Sequence, residues 1–372
     1  MRATRAIIYL DNFRRNLAAV RRKIGAHPAI CVPVKADAYG HGDVPMARAA
    51  LEGGASCLAV ATVNEGERLR QAGIRARIFL FSQVLPEETT DIARLELIPF
   101  ISDREGAESF IGELSASVTR EKPLEVHLKV DTGMGRLGCR PEEAAELAEF
   151  ITESKKLRLG GMATHLSVSD STDIDDMAYT KNQIARFREA VDSVRQANID
   201  PGIIHAANSG ALCFHEDAYF DMVRPGIFLY GYSPAKGIPG GLDSEPVMEL
   251  RSSVVFIKKV RRGEEISYGR TWKAPADTFI GTLPIGYADG LPRLLSNRHS
   301  VLIRGKSYPL VGRICMDQCM ADLGTGGEVQ RWDDAVIFGP GFQTASDLAQ
   351  KIGTIPYEIL CNINKRVPRI YT

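Results

Sequence analysis

Short apolar runs alternate with amphipathic segments through the first part of the chain. From residue 29 to about residue 224 the alternation repeats roughly every 20 to 40 residues. The apolar runs, rich in β-branched residues, predict eight strands at residues 29–34, 57–61, 77–81, 97–101, 125–130, 159–164, 203–206 and 221–224. Strands that are separated by helices pair in parallel, so the pattern predicts an α/β fold, a (β/α)8 TIM-like barrel.

Helix signals lie ahead of the first strand and between later strands, where a barrel needs its crossovers. They are an amphipathic segment at residues 11–24, an N-cap at Asn64 with an acidic first turn, a proline at the first helical position at Pro141, and an acidic start at Asp175 and Asp176 of a helix that runs to Ala197. These signals support the barrel.

The pattern changes after Tyr232. Residues 233–241 read Ser-Pro-Ala-Lys-Gly-Ile-Pro-Gly-Gly, which is typical of a turn-rich linker. Beyond it, strands are predicted at residues 254–260, 278–283, 301–303 and 335–338, with no helices between them. We therefore expect a barrel domain at residues 1–235 and a smaller, mainly antiparallel β domain at residues 236–372.

Composition narrows the function classes. The 372 residues include 46 basic and 46 acidic side chains and no long run of either, so we expect no nucleic-acid or membrane partner. Seven scattered cysteines are typical of reduced core residues, and their spacing predicts no metal site. No signal-peptide core or membrane span is recognisable, which predicts a cytoplasmic protein. Its partners should be small molecules or copies of itself.

Lys35 is the most informative single residue. It ends the first predicted barrel strand and begins the segment Lys-Ala-Asp-Ala-Tyr-Gly-His-Gly. Barrel chemistry takes place at the carboxyl ends of the strands. A lysine that is partly removed from water there loses its proton more easily, and a neutral amine forms Schiff bases with aldehydes. The alternative is a solvated or salt-bridged strand-end lysine.

Polar clusters follow other barrel strands. A glycine-rich turn carries Arg136, His165 ends a later strand, Asn208 and Ser209 end the next, and Arg224 follows the last. Backbone amides and a hydroxyl at such positions can bind a phosphate, and barrels often bind phosphate near the final strands. Alone, each has a plainer interpretation as a solvated arginine, a core histidine or a turn. Their common position at one barrel face favours a site.

The smaller domain carries a second set of motifs. Ser-Tyr268-Gly, Gly-Tyr287-Ala-Asp-Gly, Gly-Arg-Ile-Cys-Met316-Asp317-Gln and Tyr357-Glu-Ile-Leu-Cys each place a polar or aromatic residue beside glycine or a turn. Each motif alone is more often packing. Together with the lysine segment, they resemble the motifs of the alanine racemase family, in the family's order and over essentially the whole chain.

This resemblance implies a pyridoxal-phosphate-dependent racemase that interconverts L-alanine and D-alanine and supplies D-alanine for cell-wall peptidoglycan. Lys35 would hold the cofactor covalently and exchange the α-proton on the D-side. Tyr268 of the partner subunit would do so on the L-side, which implies a homodimer with shared active sites. Two groups are needed because a single base tends to return the proton where it found it.

The resemblance also assigns binding residues. Phosphate contacts would come from Tyr39, Asn208, Ser209, Gly226, Ile227 and Tyr357, and ring contacts from Arg136, His165 and Arg224. The substrate carboxylate would be bound by Arg136 and by Met316 of the partner subunit. Tyr287 and Asp317 would line the entrance, and Lys129 matches a lysine that many members carry as a carbamate.

Three positions depart from the family pattern without removing a required group. Asp37 stands where asparagine is commoner, and Arg270 and Trp272 follow Tyr268 where many relatives have other residues. Alternatives from other classes are a racemase of serine or another small amino acid, a non-catalytic cofactor-carrier barrel, and a barrel-type decarboxylase. The carrier should lack the second domain and Tyr268, and the decarboxylase motifs are not found.

Overall fold

The computed structural model describes residues 2–114, 123–234 and 242–372, and its first half contains nine strands. They are β1 Arg5–Ile8, β2 Ala29–Pro33, β3 Cys57–Val60, β4 Arg77–Leu80, β5 Leu97–Ile101, β6 Leu124–Lys129, β7 Leu157–Ala163, β8 Ile203–His205 and β9 Met222–Val223. The strands β2 to β9 confirm all eight predicted barrel strands, with bounds that differ by two residues at most.

These eight strands form one sheet in the order β8-β7-β6-β5-β4-β3-β2-β9, and every pair in it is parallel. Two backbone bonds bridge the seam between β8 and β9. Asp221 N donates to the Ile204 carbonyl at 3.0 Å, and Arg224 N donates to the Ala207 carbonyl at 2.7 Å. All residues of β3 and β5 are buried, as expected of strands covered on both faces.

Helices occupy the predicted crossovers. They are α1 Leu10–Ile24, α2 Lys35–Gly40, α3 Asp43–Glu52, α4 Val63–Gln71, α5 Thr89–Arg94, α6 Arg104–Glu113, α7 Ala144–Glu153, α8 Ile174–Gln196 and α9 Ser209–Phe214. The helix predicted at residues 11–24 is confirmed by α1. Pro141 begins a short 3-10 turn, Pro141–Glu143, that leads into α7.

The predicted N-cap at Asn64 was wrong by two residues. The hydroxyl of Thr62 accepts from Glu65 N, and the Glu65 carboxylate accepts from Thr62 N, so a capping box starts α4 at Val63. The Thr-x-x-Glu spacing satisfies two unpaired N–H groups at once, which a single asparagine cannot do.

The second unit is mainly β. Its strands are β10 Met248–Ser253, β11 Phe256–Val260, β12 Glu265–Ile266, β13 Trp272–Lys273, β14 Thr278–Leu283, β15 Ser300–Ile303, β16 Lys306–Pro309, β17 Cys319–Gly324, β18 Asp334–Phe338 and β19 Arg369–Tyr371. Two late helices, α10 Ala345–Ile352 and α11 Pro356–Cys361, complete it. The strand predicted at residues 254–260 starts at Phe256, and most of the predicted linker, residues 235–241, lies outside the described residues.

The first strand of the chain, β1, belongs to a sheet of this second unit. The six-stranded sheet runs β16-β15-β18-β10-β1-β19, beside a three-stranded sheet β11-β14-β17 and the pair β12-β13. The strand β1 pairs antiparallel with β10 and parallel with β19. A barrel followed by a mainly β domain is therefore confirmed as the fold, with one strand supplied from ahead of the barrel. No helix in the described ranges is long and apolar enough to cross a membrane.

The two units meet closely at Gly40, next to the turn that follows β2. Gly40 has φ +82°, and a Cβ there would overlap the backbone carbonyl oxygen of Leu360 in α11. Arg369 in β19 donates from Nε to the Gly40 carbonyl at 2.9 Å. The second unit therefore fixes the backbone of the segment that carries Lys35.

We predict that Gly40→Ala lowers the free energy of unfolding by about 2–5 kcal/mol, because it adds left-handed strain to a backbone overlap. Gly73→Ala is the matched control, since Gly73 has the same φ of +82° but nothing within 4 Å of its Cβ position. It should cost only about 1 kcal/mol. Thermal midpoints compared at one protein concentration test this, and equal losses would contradict a close contact at Gly40.

Candidate active site

The segment after β2 is a left-handed turn. Residues 36–39 all have φ between 52 and 55°, a conformation that costs roughly 1–2 kcal/mol for each non-glycine residue. Contacts on both sides offset this strain. Ala36 N donates to the Glu65 carboxylate at 2.7 Å, and Gly42 N donates to the Asp37 carbonyl at 2.8 Å. The turn brings Lys35 and Tyr39 to one cavity at the carboxyl ends of the strands.

Tyr39 lies between two other aromatic rings. Its ring centroid is 4.6 Å from that of Tyr230 and 5.9 Å from that of Tyr357. Its hydroxyl faces Gly226, where a Cβ would come within 2.7 Å of the oxygen. The ring is thus fixed by packing, and the hydroxyl is directed at a backbone without a side chain, which leaves room for a ligand.

Ser209 presents a hydroxyl donor beside this position. Its oxygen accepts from Gly226 N at 2.9 Å and from Phe228 N at 3.3 Å, so its hydrogen remains available for donation. Asn208 caps α9 through a bond from Ala211 N at 3.0 Å and also accepts from the Ser169 hydroxyl at 2.7 Å. Donors therefore converge at this end of the cavity, as an anionic group such as phosphate requires.

Arg224 crosses the mouth of the barrel while almost fully buried. Its Nη2 donates to the carbonyls of Thr164 at 2.7 Å and Ala206 at 3.0 Å, and its Nη1 bonds Nδ1 of His205 at 2.8 Å. Burial lowers the pKa of Arg224 to about 10, which still leaves it charged near neutral pH. Of the five N–H groups of an arginine, the described residues accept three, so two remain for a ligand.

Basic side chains surround the rest of the cavity. Burial, followed by repulsion from Arg224 and Arg136, lowers the pKa of Lys129 well below its usual value. Burial, then Lys129 and Arg224, does the same for His165. Burial, then Arg136, also lowers the pKa of Lys35. Both lysines therefore lose a proton more easily here than in water, next to two arginines.

The turn that carries Arg136 is organised by Asp131. Its carboxylate accepts from the N–H groups of Gly133 at 2.9 Å, Met134 at 2.9 Å and Gly135 at 3.0 Å. Burial opposes ionisation of Asp131, but these donations outweigh it and lower its pKa. Arg136 is consequently held at the cavity edge on a short, ordered turn.

The cavity has a volume of about 620 Å³, within the usual range of roughly 300–1,000 Å³ for small-molecule sites. Ten of the predicted site residues line it, namely Lys35, Tyr39, Lys129, Arg136, His165, Asn208, Ser209, Arg224, Gly226 and Tyr357. Four basic residues outnumber the two acidic ones that line it, Asp131 and Asp170. The cavity is suited to an anionic ligand of cofactor size.

Five predicted site residues do not line this cavity, and one of them, Ile227, is buried in the core beside Gly226. Tyr268, Tyr287 and Met316 are 73%, 43% and 53% exposed, and Asp317 pairs with Arg366 at 2.8 Å. Backbone bonds join the loops of Tyr287 and Met316, because Tyr287 N donates to the Cys315 carbonyl and Ala288 N to that of Met316, both at 3.0 Å. The loop of Tyr268 joins them through the Ser267 hydroxyl, which donates to the Arg313 carbonyl at 2.7 Å. Large apolar side chains exposed together are typical of an interaction surface.

Sequence reasoning missed His205 and Tyr230, which contact Arg224 and Tyr39. The signal for His205 was its place at the end of a barrel strand, three residues before Asn208. Tyr230 follows the last barrel strand in an apolar run with no polar marker. Its hydroxyl donates to the Pro33 carbonyl at 2.8 Å, a contact between residues distant in sequence.

Comparisons with known proteins agree with this geometry. The family profile of the alanine racemase N-terminal domain matches residues 8–234, and that of the C-terminal domain matches residues 247–371. Alanine racemase of Treponema denticola is 48% identical over 378 residues, covering 100% of this chain and 98% of the relative. Alanine racemase of Treponema pallidum is 45% identical over 377 residues, covering 100% of this chain and 100% of the relative.

Solved structures lead to the same family. Alanine racemase from a D-cycloserine-producing Streptomyces lavendulae has a TM-score of 0.92 at 35% identity, covering 100% of this chain and 97% of that one. The Bacillus anthracis enzyme with bound L-Ala-P has a TM-score of 0.93 at 33% identity, covering 100% and 95%. With matches over its whole length and a cavity lined by most of the predicted barrel residues, the chain belongs to the alanine racemase family.

Proposed function

We propose that this chain interconverts L-alanine and D-alanine with pyridoxal 5'-phosphate as its cofactor, and that Lys35 holds the cofactor covalently. The observation that supports this most is the position of Lys35 at a strand end, in a cavity rich in positive charge, where burial lowers the pKa of its amine. Such an amine reacts with an aldehyde, and the surrounding cations favour a phosphate ester. The family membership supports alanine over serine or a non-catalytic carrier role.

The residues present fit this cofactor. The Tyr39 and Ser209 hydroxyls and the backbone at Gly226 and Ile227 would receive the phosphate, with Asn208 and Tyr357 beside them. At the other end of the cavity, Arg224 would donate one of its two remaining N–H groups to the ring nitrogen. His165 and Arg136 would contact the ring and its hydroxyl oxygen.

The bound cofactor withdraws electrons from the α-carbon of the amino acid, which makes its hydrogen acidic. Lys35 would take or return this proton on the D-side, and Tyr268 of the partner subunit would do so on the L-side. Arg136 and the backbone amide of Met316 of the partner subunit would bind the substrate carboxylate. Tyr287 and Asp317 would line the way in.

Arg224 also restrains the reaction. A guanidinium that stays charged donates hydrogen bonds and accepts none, so a ring nitrogen facing it is not protonated. Electron withdrawal is then weaker than with a carboxylate at this position. Negative charge stays nearer the α-carbon, where return of the proton completes a racemisation instead of a transamination.

Lys129 fits the carbamate that the family resemblance implies. Carbon dioxide reacts with a neutral amine, and burial together with Arg224 and Arg136 favours that form of Lys129. The negatively charged carbamate would be attracted by Arg224 and Arg136, which repel the protonated amine. We propose that it orients Arg136.

We further propose a cytoplasmic homodimer whose active sites combine both domains, and which supplies D-alanine for peptidoglycan. The barrel of residues 1–235 holds the cofactor, and residues 236–372 complete the site of the partner subunit. The exposed cluster of Tyr268, Tyr287 and Met316 supports this assembly.

Covalent attachment at Lys35 is directly testable. Borohydride treatment of the purified protein should fix the cofactor to the peptide that contains Lys35, as detected by mass spectrometry. Lys35→Ala should abolish the adduct, because the other amine that lines the cavity, Lys129, is assigned to the carbamate. Lys23→Ala should leave it intact, since Lys23 forms a surface pair with Glu216. An adduct on any other lysine would refute the assignment.

Shared active sites predict complementation between inactive variants. Lys35→Ala and Tyr268→Phe proteins should each be inactive, and after subunit exchange their mixture should regain about a quarter of wild-type activity. This follows because a hybrid dimer has one site with both residues. Mixing Lys35→Ala with the double variant Lys35→Ala/Tyr268→Phe is the control and should restore nothing. Demonstrated exchange without recovery would show that both residues act within one subunit.

Because one proton-exchanging group acts on each face of the substrate, loss of Tyr268 should affect the two enantiomers of alanine unequally. Tyr268→Phe should reduce racemisation by about 10²- to 10⁴-fold, the usual effect of losing a positioned acid–base group. In heavy water, Lys35 should still exchange the α-hydrogen of D-alanine faster than that of L-alanine, which NMR can follow. Equal exchange of the two enantiomers would mean that the faces are wrongly assigned.

A further inference from the structure

A line of polar side chains runs through the barrel interior beneath Arg224. The His205 ring at the end of β8 contacts Arg224, and its Nε2 lies 2.9 Å from Nδ1 of His127 in β6. Glu125, two residues earlier on the same strand and therefore on the same face, places Oε1 3.6 Å from Nε2 of His127. Both histidines are fully buried, among the rings of Phe79 and Phe100.

Two glycines make space for this line. Gly161 in β7 is the register partner of His127, and a Cβ there would overlap the imidazole ring. A Cβ on Gly160 would come within 2.5 Å of Oε1 of Glu125. Glycine weakens a strand interior, so adjacent glycines in a barrel strand point to a local requirement. Here the requirement is room for two polar side chains.

The proton positions along the line follow from Arg224. Arginine has no acceptor, so Nδ1 of His205, 2.8 Å from Nη1, must be unprotonated and accept. A neutral His205 then carries its proton on Nε2 and donates it to Nδ1 of His127. His127 in turn carries its proton on Nε2. Burial lowers the pKa of both histidines, which agrees with neutral rings.

Glu125, at the other end of the line, favours the same proton position on His127. Among the described residues nothing hydrogen-bonds Nε2 of His127, and the Glu125 carboxylate is the charge that faces it. Burial opposes ionisation of Glu125, but His127, Arg77 and Arg158 outweigh it and lower its pKa to about 2. Ion pairs with Arg77 and Arg158 hold the carboxylate in place.

We propose that Glu125, at the opposite end of the barrel from the cavity, is a positioning residue for Arg224 that acts through the tautomers of His127 and His205. Its carboxylate favours Nε2–H on His127, which makes Nδ1 the acceptor that His205 needs. Without this carboxylate, His127 can carry its proton on Nδ1 and donate it to Nε2 of His205. His205 then carries its own proton on Nδ1, where it faces an N–H donor of Arg224. The contact of His205 with Arg224 belongs to the site above, and the catalytic part of the inference rests on the proposed function.

The test is a tautomer measurement on the cofactor-loaded enzyme with ¹⁵N-labelled histidine. The chain has seven histidines, which can be assigned by single substitutions. In the wild type, both His127 and His205 should be neutral with the proton on Nε2 between about pH 6 and 9. This needs no variant, and a proton on Nδ1 of either ring would overturn the proposal.

Two variants separate positioning from packing. Glu125→Gln removes the charge at constant shape and should produce Nδ1–H signals from His127, together with a kcat about 3- to 10-fold lower, the effect of about one hydrogen bond. Arg158→Met breaks one ion pair of Glu125 but leaves the carboxylate paired with Arg77, so it should change neither readout. Unchanged tautomers in Glu125→Gln would overturn the inference. Because the signals need no substrate, failure to racemise alanine would count against the proposed function alone.

Discussion

The basic side chains at the mouth of the barrel repel one another, and this repulsion determines how the site can bind and react. Lys35, Lys129, Arg136 and Arg224 line one cavity with only two carboxylates beside them. Removal from water and mutual proximity both disfavour the charged form of the lysines, whereas the arginines stay charged. The two arginines are therefore suited to binding anions, and the two lysines are suited to reacting as neutral amines.

The strained turn after β2 depends on the second domain. Residues 36–39 adopt a left-handed conformation that no local propensity favours. Glu65 in the barrel and Arg369 in the second domain bind the backbone on either side of it. Close packing of Gly40 against Leu360 adds to this. The placement of Lys35 is consequently a property of both domains, although the lysine belongs to the barrel.

Much of the fold could be predicted because buried parallel strands are continuous apolar runs, and all eight in the barrel were found from that pattern. Strand β1 was not recognised, because four residues of alternating burial do not reveal a partner more than 200 residues away. Most of the barrel residues predicted for the site, from strand ends and from the family resemblance, line the same cavity. His205 was missed because its importance lies in a contact with Arg224 that only the closed barrel creates.

The pairing of β1 also bears on the order of events during synthesis. Arg5 pairs with Arg251, 246 positions later along the chain (251 − 5), and Ala6 pairs with Arg369. At about 5–20 residues per second, β1 leaves the ribosome roughly 10–50 s before its first partner exists. The barrel residues emerge during this interval, so the barrel can form while β1 remains unpaired. Completion of the six-stranded sheet has to await β19 as well, because Arg369 is translated 363 positions after its partner Ala6 (369 − 6).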